Sequence, residues 1–198
     1  LPRSVDTKIK EYKDTDQVYI SFSFRTCPSY NSDSVILEVI RTIIGDGFSS
    51  SLFRKLRTEN GLVYMIGVSS ENLFDRGYFS VVTSTSKDRV QKVLDVLIEE
   101  FKRLEAGEIT QEELDLAKNK IVKSKVREMQ NSSSWVEAHI SEIYFNPKNP
   151  KDLAEILNEV EKVSLDDVKE VSKKYFSNDK WYLAMCGDIS EKDFEVNY

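Results

Sequence analysis

Leu62-Val63-Tyr64-Met65-Ile66-Gly67-Val68 and, ten residues on, Tyr78-Phe79-Ser80-Val81-Val82-Thr83-Ser84-Thr85 decide the fold. The first run reads as a strand over 62–68, with Tyr64, Ile66 and Val68 on one side. Asp75-Arg76-Gly77 supplies the turn, and 78–85 is the returning strand. Two β-rich runs joined by a Gly-bearing turn form a hairpin, so the sheet they belong to is largely antiparallel. Upstream, Val18-Tyr19-Ile20-Ser21-Phe22-Ser23-Phe24 alternates apolar and polar residues with period two and is a further strand. Residues 5–13 are charged and alternate only loosely, so no strand is assigned there.

Between these strands the period changes. Pro28 and Asn31-Ser32-Asp33 end the first strand and cap a helix. Its apolar face carries Val35, Ile36, Val39, Ile40, Ile43 and Ile44 until Gly45-Asp46-Gly47 stops it. Ser49 or Ser50 caps a short helix with Leu52, Phe53 and Leu56 inward, closed by Asn60-Gly61 in a left-handed turn. After the hairpin, Val90, Val93, Leu94, Leu97, Phe101 and Leu104 line a helix ended by Gly107. Thr110-Gln111-Glu112-Glu113 is a capping box that opens a long helix to about Gln130, with Ile121 inward. Ser134 with Glu137 caps another helix to about Phe145. Leu153, Ile156, Leu157 and Val160 mark the next, and Ser164 opens one with Val168, Val171 and Tyr175 inward. A last strand runs over 181–186 before Gly187-Asp188. The order is an α+β layer, with helices packed on one face of a mostly antiparallel sheet, and no Pro/Gly/Ser linker divides residues 1–198.

Composition narrows the chemistry. The chain has 198 residues with 28 Lys and Arg against 34 Asp and Glu, a net charge of −6, and no dense basic stripe for a nucleic-acid backbone. No apolar run approaches the ~20 residues of a membrane span. The first residues, Leu1-Pro2-Arg3-Ser4, read as a processed fragment without a visible leader. Cys27 and Cys186 read as small buried hydrophobes near strand ends, a usage that leans toward a reducing, cytoplasmic compartment. His139 with Glu142 forms H-x-x-E, but Ile143 stands where a second zinc-binding His would be, and there is one His in all. A catalytic zinc needs three protein ligands, so His139 is read as a surface or satisfied residue. Gly45-Asp46-Gly47-Phe48-Ser49-Ser50 resembles an anion cradle, yet a tight turn plus helix cap accounts for it. Trp135 and Trp181 are read as core or sheet anchors.

Arg57 and Tyr64 form the remaining candidate pair. Arg57 lies one turn after Phe53, and the reversal at Asn60-Gly61 brings guanidinium and phenol to one end of the sheet. Five N–H donors and one O–H donor suit carbonyl or carboxylate oxygens. On chemistry alone, a helix-end Arg and a half-buried Tyr remain the simpler account.

Residues 44–64, with Gly45, Gly47, Ser49-Ser50, Leu52-Phe53, Leu56-Arg57 and Gly61-Leu62-Val63-Tyr64 in this order, resemble the motif of the pitrilysin-type metallopeptidases. That family includes insulin-degrading enzyme and the mitochondrial processing peptidase. The likeness extends to Gln17, Gly77-Tyr78-Phe79, Glu112-Glu113-Leu114 and Gly187-Asp188. Asp46 stands where a third glycine is commoner, and Ser51 where Arg often precedes Leu-Phe. The resemblance implies the zinc-free, substrate-binding kind of domain, inactive alone, belonging to a larger or two-subunit peptidase. Zinc, its activated water and a Glu base would come from a zinc-bearing N-terminal-type domain or subunit. The substrate would be an extended peptide. Arg57 and Tyr64 would support catalysis by contacting the peptide and the developing oxyanion, with no cofactor or metal residue in this chain. A different implication stays open, because some relatives are scaffolds: a non-catalytic assembly or peptide-binding module.

Overall fold

Strand β2 (Val18–Thr26) sets the architecture, because its alternating residues fall on opposite sides of the sheet. Val18, Ile20, Phe22 and Phe24 are buried, whereas Tyr19 and Arg25 are exposed. The structure is a computed structural model that describes residues 8–12, 15–177, 180–190 and 193–198. β1 (Lys8–Tyr12), β3 (Ile66–Asn72), β4 (Gly77–Thr85) and β5 (Trp181–Gly187) complete a five-stranded sheet in the order β1-β5-β2-β4-β3. Three of the four pairings are antiparallel: β2 with β4, β2 with β5, and β3 with β4. β1 runs parallel to β5 at one edge, Lys8 opposite Leu183 through Tyr12 opposite Gly187. The sequence reading assigned no strand to this charged segment, since Lys and Glu are depleted in strands. The neighbouring edge of β5 supplies the hydrogen bonds that its composition did not advertise.

Helices α1 (Asp33–Gly45), α3 (Val90–Ala106) and α7 (Leu165–Tyr175) bury their apolar stripes against one face of the sheet. α4 (Gln111–Glu128) and α6 (Leu153–Lys162) pack behind α1, so the layer order is sheet, helices, helices. Five aromatic rings occupy the centre. Phe101 of α3 lies 4.6 Å from Phe24, 5.7 Å from Phe22, 6.1 Å from Phe79 and 5.2 Å from Phe176, centroid to centroid. Of the expected core positions, Ile40, Leu56, Val93, Leu97, Phe101 and Ile121 are buried, while Val35 and Ile36 are partly buried against them. The capping box expected at Thr110 forms, and Ser164 caps α7 as expected, with Asp167 completing a box there as well. Gly45 is needed for contact rather than for a turn: a Cβ there would come within 2.2 Å of Val68 Cβ, where α1 crosses β3.

Three local expectations are corrected. β3 begins at Ile66, not at 62. Leu62 and Val63 are both buried in succession, and their segment is held by side chains instead of a ladder: Thr85 donates to the Leu62 carbonyl at 2.6 Å and Thr83 to that of Met65 at 2.7 Å. α5 (Ser132–Phe145) starts earlier than expected, capped by Asn131, whose side chain accepts from the Ser133 amide at 2.9 Å. Trp135 on α5 is no core anchor. It is 49% exposed and stacks on His139 at 3.7 Å, and no residue of α5 is buried. Trp181 does pack on the core, stacked 5.9 Å from Phe22.

Candidate functional site

The segment that carries Arg57 is a short helix α2 (Ser51–Phe53) running directly into a wider π-helical turn, Arg54–Glu59. π-turns are rare and recur at functional sites. Leu52 and Leu56 anchor this unit in the core. Ser50 stands at its N-cap but makes no cap bond, and its hydroxyl donates to the Gly47 carbonyl at 2.8 Å. The chain leaves the turn through Gly61, whose φ of +58° lies in the left-handed region that a side chain disfavours. The Arg89 guanidinium donates to the Gly61 carbonyl at 2.9 Å and pins the exit.

This path brings the two candidate residues together. The Arg57 guanidinium lies 5.0 Å from the centroid of the Tyr64 ring and 5.1 Å from that of Phe53 on its other neighbour. A cation stacked on an aromatic face is held by the ring quadrupole, and arginine keeps its N–H donors free at the rim while it stacks. Among the described residues, Arg57 has no carboxylate partner and the Tyr64 hydroxyl has no hydrogen bond. Tyr64 is 79% exposed, not half-buried in a strand, because the Thr83 and Thr85 tethers place it on a bridge before β3. Phe53 was expected inward; it is half-buried, with Phe48 packed edge-on at 5.0 Å. The result is an exposed row of Phe48, Phe53, Arg57 and Tyr64. Sequence reasoning missed the two phenylalanines. The signal was available in Phe48, a large apolar residue inside a Gly/Ser turn with no periodic face to join.

The unit that carries Arg57 is joined to a buried carboxylate through Ser51 and Lys55. Glu100 of α3 is fully buried. It accepts from the Ser51 hydroxyl, from Lys55 Nζ at 2.7 Å and from Arg103 Nη2 at 2.7 Å. Burial raises its carboxyl pKa, but Arg103, Lys55 and Ser51 together hold it below the usual carboxylate range. Ser51 therefore faces the core. The network ties α2 to α3, and so fixes the base on which Arg57 stands. A carboxyl depressed on folding contributes stability above its unfolded pKa of about 4.3, and loses it as pH falls through the folded value. Urea unfolding of the protein and of Glu100→Gln is expected to show a stability gap at pH 7 that narrows steadily below about pH 4. A gap unchanged by acid would mean that the charge contributes nothing.

The other candidates do not assemble. His139 Nδ1 is 2.9 Å from the Trp135 carbonyl oxygen, and Glu142 accepts from Asn146 and from the Lys151 amide. Among the described residues no three His, Cys, Asp or Glu side chains converge to hold a metal ion. The Gly45–Ser50 turn borders a cavity of about 460 Å³, but its cations are engaged: Arg103 with Glu100 and Glu113, and Lys120 with Ser49 and the Asp46 carbonyl. Cys27 is buried, Cys186 is partly buried, and both are free thiols. No helix among the described residues is long and apolar enough to cross a membrane.

The family described as the peptidase M16 inactive domain matches residues 2–121. A Bacillus subtilis protein described as an uncharacterized zinc protease, YmxG, is 24% identical over 172 residues, covering 87% of this chain and 42% of that protein. A Helicobacter pylori protein described as the non-peptidase homolog YmxG is 29% identical over 189 residues, covering 91% of this chain and 42% of its own length. The crystal structure of a peptidase M16 inactive domain from Pseudomonas fluorescens superposes with a TM-score of 0.79 at 20% identity, over 92% of this chain and 44% of that one. At that identity the structural likeness shows the fold alone. The chain spans about two fifths of the length of these curated relatives.

Proposed function

The chain belongs to the peptidase M16 inactive-domain family, and from that premise we propose that residues 1–198 form the zinc-free, substrate-binding domain of a pitrilysin-like zinc endopeptidase. The observation that supports this most directly is the Arg57–Tyr64 stack, 5.0 Å from guanidinium to ring, with the donors of both groups unspent on an exposed row. Solvent already satisfies such donors, so their exposure alone assigns no role. What favours a role is the construction beneath them: a π-turn, a buried Glu100 and two threonine tethers all fix the position of a surface pair.

In this reading Arg57 holds a carbonyl of an extended peptide, and its ring contacts keep the guanidinium plane in place. Tyr64 donates a hydrogen bond from its hydroxyl to the oxygen that gains charge as the scissile carbonyl is attacked. The hydrolytic zinc belongs to a companion domain or subunit, and no residue of this chain takes part in holding it. Mixing the chain with a zinc-bearing companion, from the same polypeptide or a neighbouring reading frame, is expected to produce peptide hydrolysis that neither part shows alone. Arg57→Ala in that mixture is expected to raise KM and to lower kcat, because Arg57 contacts peptide in both the ground and transition states. Hydrolysis unaffected by Arg57→Ala would remove the residue from the site.

The second reading, a non-catalytic binding or assembly module, is favoured by one observation: the Helicobacter pylori relative is described as a non-peptidase homolog. A companion that assembles with this chain but never cleaves peptides would establish it.

A further inference from the structure

At the far end of β3 from Tyr64, three loops meet around a cavity of about 480 Å³. Seven residues of strand at ~3.3 Å each place it roughly 20 Å from the Arg57–Tyr64 pair. Its walls are Tyr30 from the β2–α1 loop, Phe74 from the β3–β4 turn and Phe145 at the end of α5. Tyr30 is 64% exposed and Phe74 55% exposed, although nothing in their local sequence requires an aromatic ring at a loop tip. Rings from three separate segments converging on one cavity of ligand size are the usual composition of a binding pocket.

The polar part of the lining is one-sided. Lys148 and Lys151 border the cavity with no acidic residue among its walls, in a chain whose net charge is −6. Lys151 is engaged by Glu159 at 2.7 Å. Lys148 is exposed and has no acidic partner among the described residues.

We propose that this cavity binds a peptide segment in which a large apolar side chain stands next to a carboxylate. The apolar side chain occupies the space between Tyr30, Phe74 and Phe145. The carboxylate pairs with Lys148. The site is separate from Arg57 and Tyr64 and does not rest on their proposed role.

Fluorescence anisotropy of the chain with fluorescein-labelled Gly-Ser-Asp-Phe-Asp-Ser-Gly tests it. Saturable binding is expected. It should weaken about tenfold or more when Phe is replaced by Ala in the peptide, since a buried aromatic anchor carries most of such an affinity. Replacing both Asp by Lys should weaken it similarly. Phe74→Ala should reproduce the first loss, and Lys148→Glu should weaken binding and flatten its dependence on salt. Phe74 and Lys148 are exposed, and a thermal melt followed by circular dichroism checks that each variant is folded. If Phe74→Ala unfolds the chain, Lys148→Glu decides. Absence of saturable binding, or binding indifferent to both variants, overturns the proposal. So does a shift from dimer to monomer by sedimentation with Phe74→Ala and no peptide binding, because the patch would then be a contact between copies.

Discussion

Tyr64→Phe in the assembled enzyme is expected to lower kcat by about 10²–10³-fold with KM nearly unchanged. A single donor to a developing oxyanion is worth roughly 2.7–4 kcal/mol where such donors have been removed, and it acts chiefly in the transition state. The substitution isolates the hydroxyl. Phenylalanine keeps a ring for the Arg57 guanidinium, which lies 5.0 Å from the Tyr64 centroid, so the stack survives. The main-chain position survives as well, because Thr85 and Thr83 hold the Leu62 and Met65 carbonyls and not the phenol. Steady-state kinetics on a peptide substrate reads the result. A kcat within about twofold of the unsubstituted enzyme would end the oxyanion role and leave Tyr64 as a peptide contact at most.

Phe101→Ala is expected to destabilise the chain by about 3–5 kcal/mol, the range for removing a fully buried Phe from a packed core. Phe101 is completely buried and is the ring through which α3 meets the sheet, in contact with Phe22, Phe24, Phe79 and Phe176. Those partners are themselves packed against one another, so they cannot collapse into the space left behind. Such a loss is a large fraction of the ~5–15 kcal/mol that separates folded from unfolded states. Urea unfolding at neutral pH measures it. A change below about 1 kcal/mol would show that the ring cluster is not the cooperative centre of the fold.

Most elements were legible because their causes are local. The period-two run of β2 puts Phe22 and Phe24 on one side whatever lies beside it. The Thr110 and Ser164 boxes satisfy free amides within four residues of themselves, and Gly61 provides the reversal its spacing implied. The Arg57–Tyr64 pair was legible in outline for the same reason, since only a short turn and one reversal separate the two. Even there the setting was misjudged. Alternating apolar residues over 62–68 imitate a strand, but two threonines of β4 capture the carbonyls first and lift Tyr64 into the open.

By itself, then, the sequence determined the α+β order, most of the helix caps, the buried stripes of β2, α1, α3 and α7, and the nearness of Arg57 to Tyr64. These follow from periodicity and from hydrogen bonds made within a few residues. Only the tertiary structure decided the parallel pairing of β1 with β5, the burial of Glu100 among Ser51, Lys55 and Arg103, and the open face of α5 with Trp135 on it. It also decided the meeting of Tyr30, Phe74 and Phe145 around one cavity. Each depends on a partner tens of residues away. A charged strand finds its edge, a carboxylate its cations and an aromatic ring its neighbours only after the chain has closed those loops, and no local pattern records which closures the packed core permits.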